Sequence, residues 1–210
     1  MGYVKSMKSR IGVLGGTFDP PHRAHLELAK AARQELNLNS VIFMPAGNPW
    51  RKKRGDLTSA ELRYAMVNEA IRDLSWATSS RVEIDKSGPT YTFETLEMLQ
   101  AEHPGAGLWF IIGGDSLADM SNWVQPEKII ASARLAIADR QSTGIVPDAK
   151  LLGLVPNISE KLDFVPMRPL ATTSTHLRGR LQSGVNPLDE ADLPSGVAEF
   201  ILHKRVYFSD

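Results

Sequence analysis

The sequence predicts an α/β fold, a parallel β-sheet covered by helices on both faces. Three observations predict it. Short apolar runs alternate with stretches at helical spacing along most of the chain. Two of those runs, Ile11 to Leu14 and Leu108 to Ile112, end in Gly-Gly pairs, as strands entering tight turns do. The chain has 210 residues, 42% of them hydrophobic and 23% charged, which suits a single domain with a full core.

The elements follow in order. Ile11 to Leu14 reads as a buried strand. His22 to Leu36 reads as a helix, with Leu26, Ala29, Ala32, Arg33 and Leu36 at helical spacing. Val41 to Met44 is a second strand, closed by Pro45 and a loop over residues 46–55. Thr58 with Glu61 forms a capping-box pattern that opens a helix, its apolar face carrying Leu62, Met66, Ala70 and Leu74. Arg81 to Asp85 alternates polar and apolar, as a half-buried strand does. Thr92 to Glu102 returns to helical spacing through Phe93, Leu96 and Leu99. After the Leu108 to Ile112 strand come a short helix at Pro126 to Ser132 with proline in its first turn, strands at Leu135 to Ala138 and Asp163 to Pro166, and helices at Ser174 to Gln182 and Pro194 to His203. Residues 141–161 show no clear period.

Composition narrows the functional classes. Lys plus Arg is 24 and Asp plus Glu is 24, so the net charge is zero. A neutral chain has no global attraction to nucleic acid or anionic membrane, and neither is an expected partner. Phosphate binding then needs a local site. With no cysteine in the chain, a disulfide framework and a thiolate zinc site are excluded. No apolar run reaches membrane-span length. Residues 1–10 are short and basic without a signal-peptide core, and read as a flexible leader to one domain over 1–210. A cytoplasmic location is the expectation. The oligomeric state, a homo-oligomer included, is left open.

Parallel sheets of this kind bind ligands at the carboxyl ends of their strands. The first such end reads Gly15-Gly16-Thr17-Phe18-Asp19-Pro20-Pro21-His22-Arg23-Ala24-His25. Glycines allow close backbone approach. A helix start offers free N–H groups and a positive dipole end to phosphate. His22 and His25, at i and i+3, share a face of that first turn. Donors of that kind gain value as phosphoryl oxygens gain charge. There is no Gly-x-x-x-x-Gly-Lys-Ser/Thr loop, no Gly-x-Gly-x-x-Gly fingerprint, and no His-Glu-x-x-His.

This segment resembles the signature of the nucleotidyltransferase superfamily with paired histidines. In particular it is similar to that of bacterial nicotinate-nucleotide adenylyltransferase, with Ala24 where glycine is usual. Four further segments match in the family's order. Pro45 to Lys52 resembles its Pro-x-x-x-Pro-x-x-Lys loop. Gly88 to Leu96 resembles its Ser/Thr-Tyr-Thr-x-x-Thr-Leu segment. Phe110 to Leu117 with Trp123 resembles Phe-Ile-x-Gly-x-Asp-x-Leu…Trp. Thr173 to Arg178 resembles the Ser-Ser-Thr-x-Ile-Arg element.

The resemblance implies a Rossmann-like sheet of nucleotidyltransferase type with a small C-terminal helical part. It implies transfer of AMP from ATP to nicotinate mononucleotide, giving nicotinate adenine dinucleotide (deamido-NAD) and pyrophosphate in NAD biosynthesis. Magnesium would ride on the ATP phosphates, with no protein metal site. His22, His25, Arg178 and Lys52 would neutralise the triphosphate as the catalytic set. Gly15, Gly16, Thr17, Phe18, Gly113, Asp115, Ser174 and Thr175 would join His22, His25 and Arg178 in binding ATP. Tyr91, Thr92, Trp123, Arg140 and Lys52 would bind the mononucleotide, with Trp123 stacking on the pyridine ring and backbone amides near Tyr91 and Thr92 holding the carboxylate. The alternatives are a sister adenylyltransferase or cytidylyltransferase, such as the phosphopantetheine enzyme, and a non-catalytic nucleotide-binding regulatory module.

Overall fold

Strand residues in this chain alternate between two apolar layers, and that alternation organises the molecule. A computed structural model describes residues 9–49, 57–139, 146–168 and 171–208. Six strands, β1 (Arg10–Gly16), β2 (Ser40–Pro45), β3 (Ala77–Ser79), β4 (Gly107–Gly113), β5 (Arg134–Asp139) and β6 (Leu162–Pro166), form one sheet in the order β3-β2-β1-β4-β5-β6. All five pairings are parallel. Helices α1 (Arg23–Glu35), α2 (Ala60–Ile71), α7 (Ser174–Gln182) and α8 (Ser195–Lys204) cover one face, and α3 (Thr92–Glu102), α4 (Gly114–Asp119), α5 (Pro126–Ser132) and α6 (Ala149–Leu154) the other.

The period of two sorts each strand between these layers. Leu14, Val41, Phe43, Trp109, Ile111 and Ala136 face the first layer, with Ala29, Met66, Leu177 and Ile201 from the helices. Ile11, Val13, Ile42, Met44, Phe110 and Leu135 face the second, with Leu96, Leu117, Ile129 and Leu151. A strand buried on both faces has no polar side, which is why these runs read as continuously apolar.

The predicted strand at Arg81 to Asp85 is absent. Ile84 N–H and Asp85 N–H both donate to Arg81 O, at 2.8 and 2.9 Å, and close a turn instead. Its burial is the reverse of a half-buried strand: Glu83 is inside, and Val82 and Ile84 are only half-buried. The third strand is Ala77–Ser79, a weak edge strand paired to β2. The α2 cap is Ser59, not Thr58; Ser59 Oγ accepts from Leu62 N–H at 3.3 Å. The stretch without a clear period contains α6, capped by Asp148, whose carboxylate accepts from Leu151 N–H.

The buried face of α2 includes a charge. Arg63 is 1% exposed. Its Nε donates to Thr58 O at 2.9 Å, its Nη1 to Thr17 O at 2.8 Å, and its Nη2 to Ala46 O at 2.6 Å and Gly47 O at 3.3 Å. One planar fork thus fastens the loop after β1, the loop after β2 and the residues leading into α2. Removing it strands buried carbonyls. Arg63→Leu should therefore lower stability by about 3–5 kcal/mol, seen as a large fall in Tm; a Tm within two degrees of wild type would contradict the clamp.

Candidate active site

The sheet order reverses between β1 and β4, since α1 leaves to one face and α4 to the other. That crevice is where ligands bind in such sheets. Gly15, Gly16 and Thr17 lie on its β1 side, Gly113 and Asp115 on its β4 side. Asp115 is exposed in the first turn of α4. Phe18 turns the chain with a left-handed φ of 50° and is 1% exposed. Its ring supports Gly16 from below and meets His25 edge-on at 4.9 Å. The buried Phe18 ring shapes this loop and leaves its side chain no exposed surface.

His22 and His25 do lie together, their rings stacked with centroids 3.8 Å apart. His25 Nδ1 accepts from His22 backbone N–H at 3.2 Å, so the His25 proton sits on Nε2. Burial brings the His22 pKa down to about 4, against a smaller opposing pull from Asp192. Burial, and then His22, hold His25 well below its usual value. Both rings are thus neutral at physiological pH. Neutral rings are suited to offer N–H donors rather than charge to a phosphate. The helix start is also less open than expected. Arg23 N–H is taken by Asp192 O at 2.8 Å and His25 N–H by His22 O at 2.9 Å. Ala24, in place of the family's glycine, sits within the first turn of α1, in helical backbone that alanine readily adopts.

The start of α7 docks onto the same loop. Ser174 Oγ donates to Pro20 O at 2.9 Å, and Arg178 Nη1 donates to Asp19 O at 2.6 Å. Thr173 caps the helix by accepting from His176 N–H, while Thr175 is exposed at its first turn. Asp19 is wholly buried; Tyr207 Oη donates to it at 2.6 Å and Thr58 N–H at 3.2 Å. Arg178 also stands 3.9 Å from that carboxylate. The structure therefore brings Ser174 and Arg178 onto the Asp19-Pro20 segment that leads into His22, with Thr175 on the same turn of α7.

A cavity of about 390 Å³ opens beside the phosphate loop, walled by Gly15 to Thr17, Tyr91, Thr92 and Trp123. Trp123 is half-buried, meets Phe110 edge-on at 6.2 Å, and donates from Nε1 to Asp119 at 3.1 Å, which fixes its plane. It is a wall residue rather than a core one. Helix α3 begins at Thr92 with no side-chain cap, a suitable place for a carboxylate. Glu83 also reaches this cavity; burial raises its carboxyl pKa. Lys52 and Arg140 lie outside the described residues. Asp19, Arg63, Glu83 and Tyr207 are site residues that the sequence reading did not single out.

A conserved-domain model described as cytidylyltransferase-like matches residues 13–180. With paired histidines at the switch point, this places the chain in the class of cytidylyltransferase-like nucleotidyltransferases. The chain is 38% identical over 209 residues to a Leifsonia xyli protein named "Probable nicotinate-nucleotide adenylyltransferase", covering 100% of this chain and 99% of that one. A Nocardioides protein of the same name is 38% identical over 92% of both chains. The fold matches that of Plasmodium falciparum nicotinic acid mononucleotide adenylyltransferase complexed with NaAD, with a TM-score of 0.72, 20% identity, and coverage of 95% and 97%. The chain belongs to the nicotinate-nucleotide adenylyltransferase family.

The neutral histidines make stability depend on pH. His22 binds a proton readily when unfolded, near pH 6.5, but when folded only near pH 4. The unfolded state therefore gains protons first as pH falls, and stability is lost between those values. In urea denaturation at pH 7.5 and 4.5, wild type should lose up to about 3 kcal/mol more than His22→Asn. Equal losses would show that His22 is not held neutral.

Proposed function

We propose that this chain transfers AMP from ATP to nicotinate mononucleotide, releasing pyrophosphate and forming nicotinate adenine dinucleotide. One juxtaposition carries the reading: two neutral imidazole donors lie at the β1 end, beside a cavity walled by Trp123 and the start of α3. Membership of the family supports the same substrates.

A phosphate oxygen of the mononucleotide attacks the α-phosphorus of ATP. The new P–O bond forms as the bond to the β-phosphate oxygen breaks, and pyrophosphate leaves. The attacking phosphate is already ionised near neutral pH, so the reaction needs positioning and charge stabilisation more than a base. His25 Nε2–H and His22 donate to oxygens of the reacting phosphates, whose charge is greatest in the transition state. Arg178 supplies a fixed cation and a forked donor. Gly15 and Gly16 let the phosphates approach the backbone, and Ser174 and Thr175 add donors at the start of α7.

Magnesium in this reading rides on the phosphates of ATP. Among the described residues no three carboxylate or imidazole groups converge on a metal position, and the Asp19 carboxylate is buried against Tyr207 and Thr58. Magnesium belongs to the substrate as Mg·ATP. The pyridine ring packs on Trp123 while its carboxylate meets the first amides of α3. A cytoplasmic location fits this small-molecule chemistry; among the described residues no helix is long and apolar enough to cross a membrane.

Pyrophosphate release from Mg·ATP should be much faster with nicotinate mononucleotide than with nicotinamide mononucleotide or phosphopantetheine. No release with any of the three would overturn the reading and leave a binding module. His25→Ala should lower kcat by roughly 10²–10³, as loss of an oxyanion donor does; a wild-type kcat would remove His25 from the chemistry. Trp123→Ala should raise KM for the mononucleotide about tenfold with little change for ATP. An unchanged KM would place the ring elsewhere.

A further inference from the structure

We infer that Glu83 is a positioning residue for the acceptor pocket: its buried carboxylate clasps the loop after β2 to the loop before α3 and so fixes the wall that holds the pyridine carboxylate. The inference rests on the substrate reading above and deepens it.

Two loops make that wall. Ala46 and Pro49 come from one, Thr90 and Tyr91 from the other. Among the described residues little else joins them. A lone parallel bridge pairs Pro49 with Thr90, and Thr90 N–H reaches Asn48 O at a long 3.3 Å. They meet at backbone contact, since a Cβ on Gly47 would lie 1.8 Å from Glu83 O. Only glycine permits that approach.

Glu83 stands at the join, 7% exposed. Thr95 Oγ1 donates to its Oε1 at 2.9 Å. The Thr90 side chain and the Gly47 backbone N–H approach the same carboxylate and oppose the rise that burial gives its pKa. One group thus collects a donor from each loop and a third from the second turn of α3. Thr95 is 1% exposed and shares its one hydroxyl hydrogen between Glu83 and Tyr91 O, the latter at 3.2 Å, so the clasp is tied to the backbone where α3 begins. With its lone pairs engaged by protein donors, Glu83 fixes the start of α3 while leaving the amides there to face the cavity. A buried carboxylate surrounded by protein donors is arranged to hold structure in place.

The test uses the full-length chain in two measurements. In amide exchange without substrates, Glu83→Ala should speed exchange over residues 46–49 and 88–93, with β4 and α8 unchanged. Glu83→Gln keeps one carbonyl acceptor and should restore much of the protection. In steady-state kinetics, Glu83→Ala should raise KM for nicotinate mononucleotide about tenfold, with KM for ATP within twofold, and Glu83→Gln should recover most of that loss. Should Glu83→Ala fail to fold, Thr95→Val removes one donor at nearly constant volume and should move both readouts in the same direction.

Wild-type exchange in both loops of Glu83→Ala would overturn the inference. If KM alone rises while exchange stays wild-type, Glu83 touches substrate directly and the clasp is again wrong. A uniform loss of protection across β4 and α8 would make the residue a general stability element and would also overturn it. The exchange readout needs no turnover, so it stands even if wild type releases no pyrophosphate, a result that would instead overturn the substrate reading.

Discussion

A single buried guanidinium, Arg63, sets the frame on which the site is built. Burying a cation costs free energy unless hydrogen-bond acceptors and opposite charges compensate. Burial does lower the Arg63 pKa, opposed by Asp19, Tyr207 and Glu83. Its donors are spent on carbonyls of Thr17, Ala46, Gly47 and Thr58. Those four carbonyls belong to loops beyond the ends of the strands, so Arg63, with the Ala46 N–H bond to Gly16 O, sets where the loop after β1 lies relative to the loop after β2. Asp19 and Glu83, the buried carboxylates beside it, extend the frame in opposite directions. Asp19 reaches Tyr207 near the C-terminus and fixes the loop against Arg178. Glu83 reaches α3.

The same frame explains how a neutral chain handles a triphosphate. Net charge is zero, and the two histidines are held uncharged. Under the proposed function local donors do the work, with Arg178 of α7 as a cation docked on the loop and magnesium carried by the nucleotide. Neutral N–H donors strengthen as the reacting phosphate gains charge, without the cost of burying a second and third cation. The stacked rings, the Nδ1 contact to His22 N–H and the Phe18 ring beneath hold the donors in place before substrate arrives. That is preorganisation, and it follows from Gly15-Gly16-Thr17-Phe18 turning sharply out of β1.

The layered sheet was largely legible in the sequence because β1, β2, β4 and β5 are apolar on both faces and their helices are regular. The clustering of His22, His25, Ser174 and Arg178 was legible from motif residues. What escaped was the part held by polar burial. Arg81 to Asp85 reads as a strand because Val82 and Ile84 alternate with charges, yet a turn puts Glu83 inside, where hydrogen bonds replace apolar contacts. Arg63 lay inside a helix pattern whose apolar stripe was drawn through Leu62, when the buried face runs through Arg63, Met66, Val67 and Ala70. Periodicity sorts residues by hydrophobicity and cannot register a charge that is satisfied inside. Ala77–Ser79 escaped for the opposite reason, since three small residues at a sheet edge carry almost no pattern. Phe18 carries a motif signal in the sequence, but its positive φ and buried ring are visible only in three dimensions.

A crystal structure of this chain with nicotinate adenine dinucleotide bound tests the central claim most directly, because one ligand must bridge both halves of the site. The geometry described here requires its phosphates within hydrogen-bond reach of His22 and His25, its pyridine ring on Trp123, and its carboxylate at the first amides of α3. A dinucleotide bound away from the β1–β4 crevice, or with the pyridine ring outside the Trp123 cavity, would contradict it.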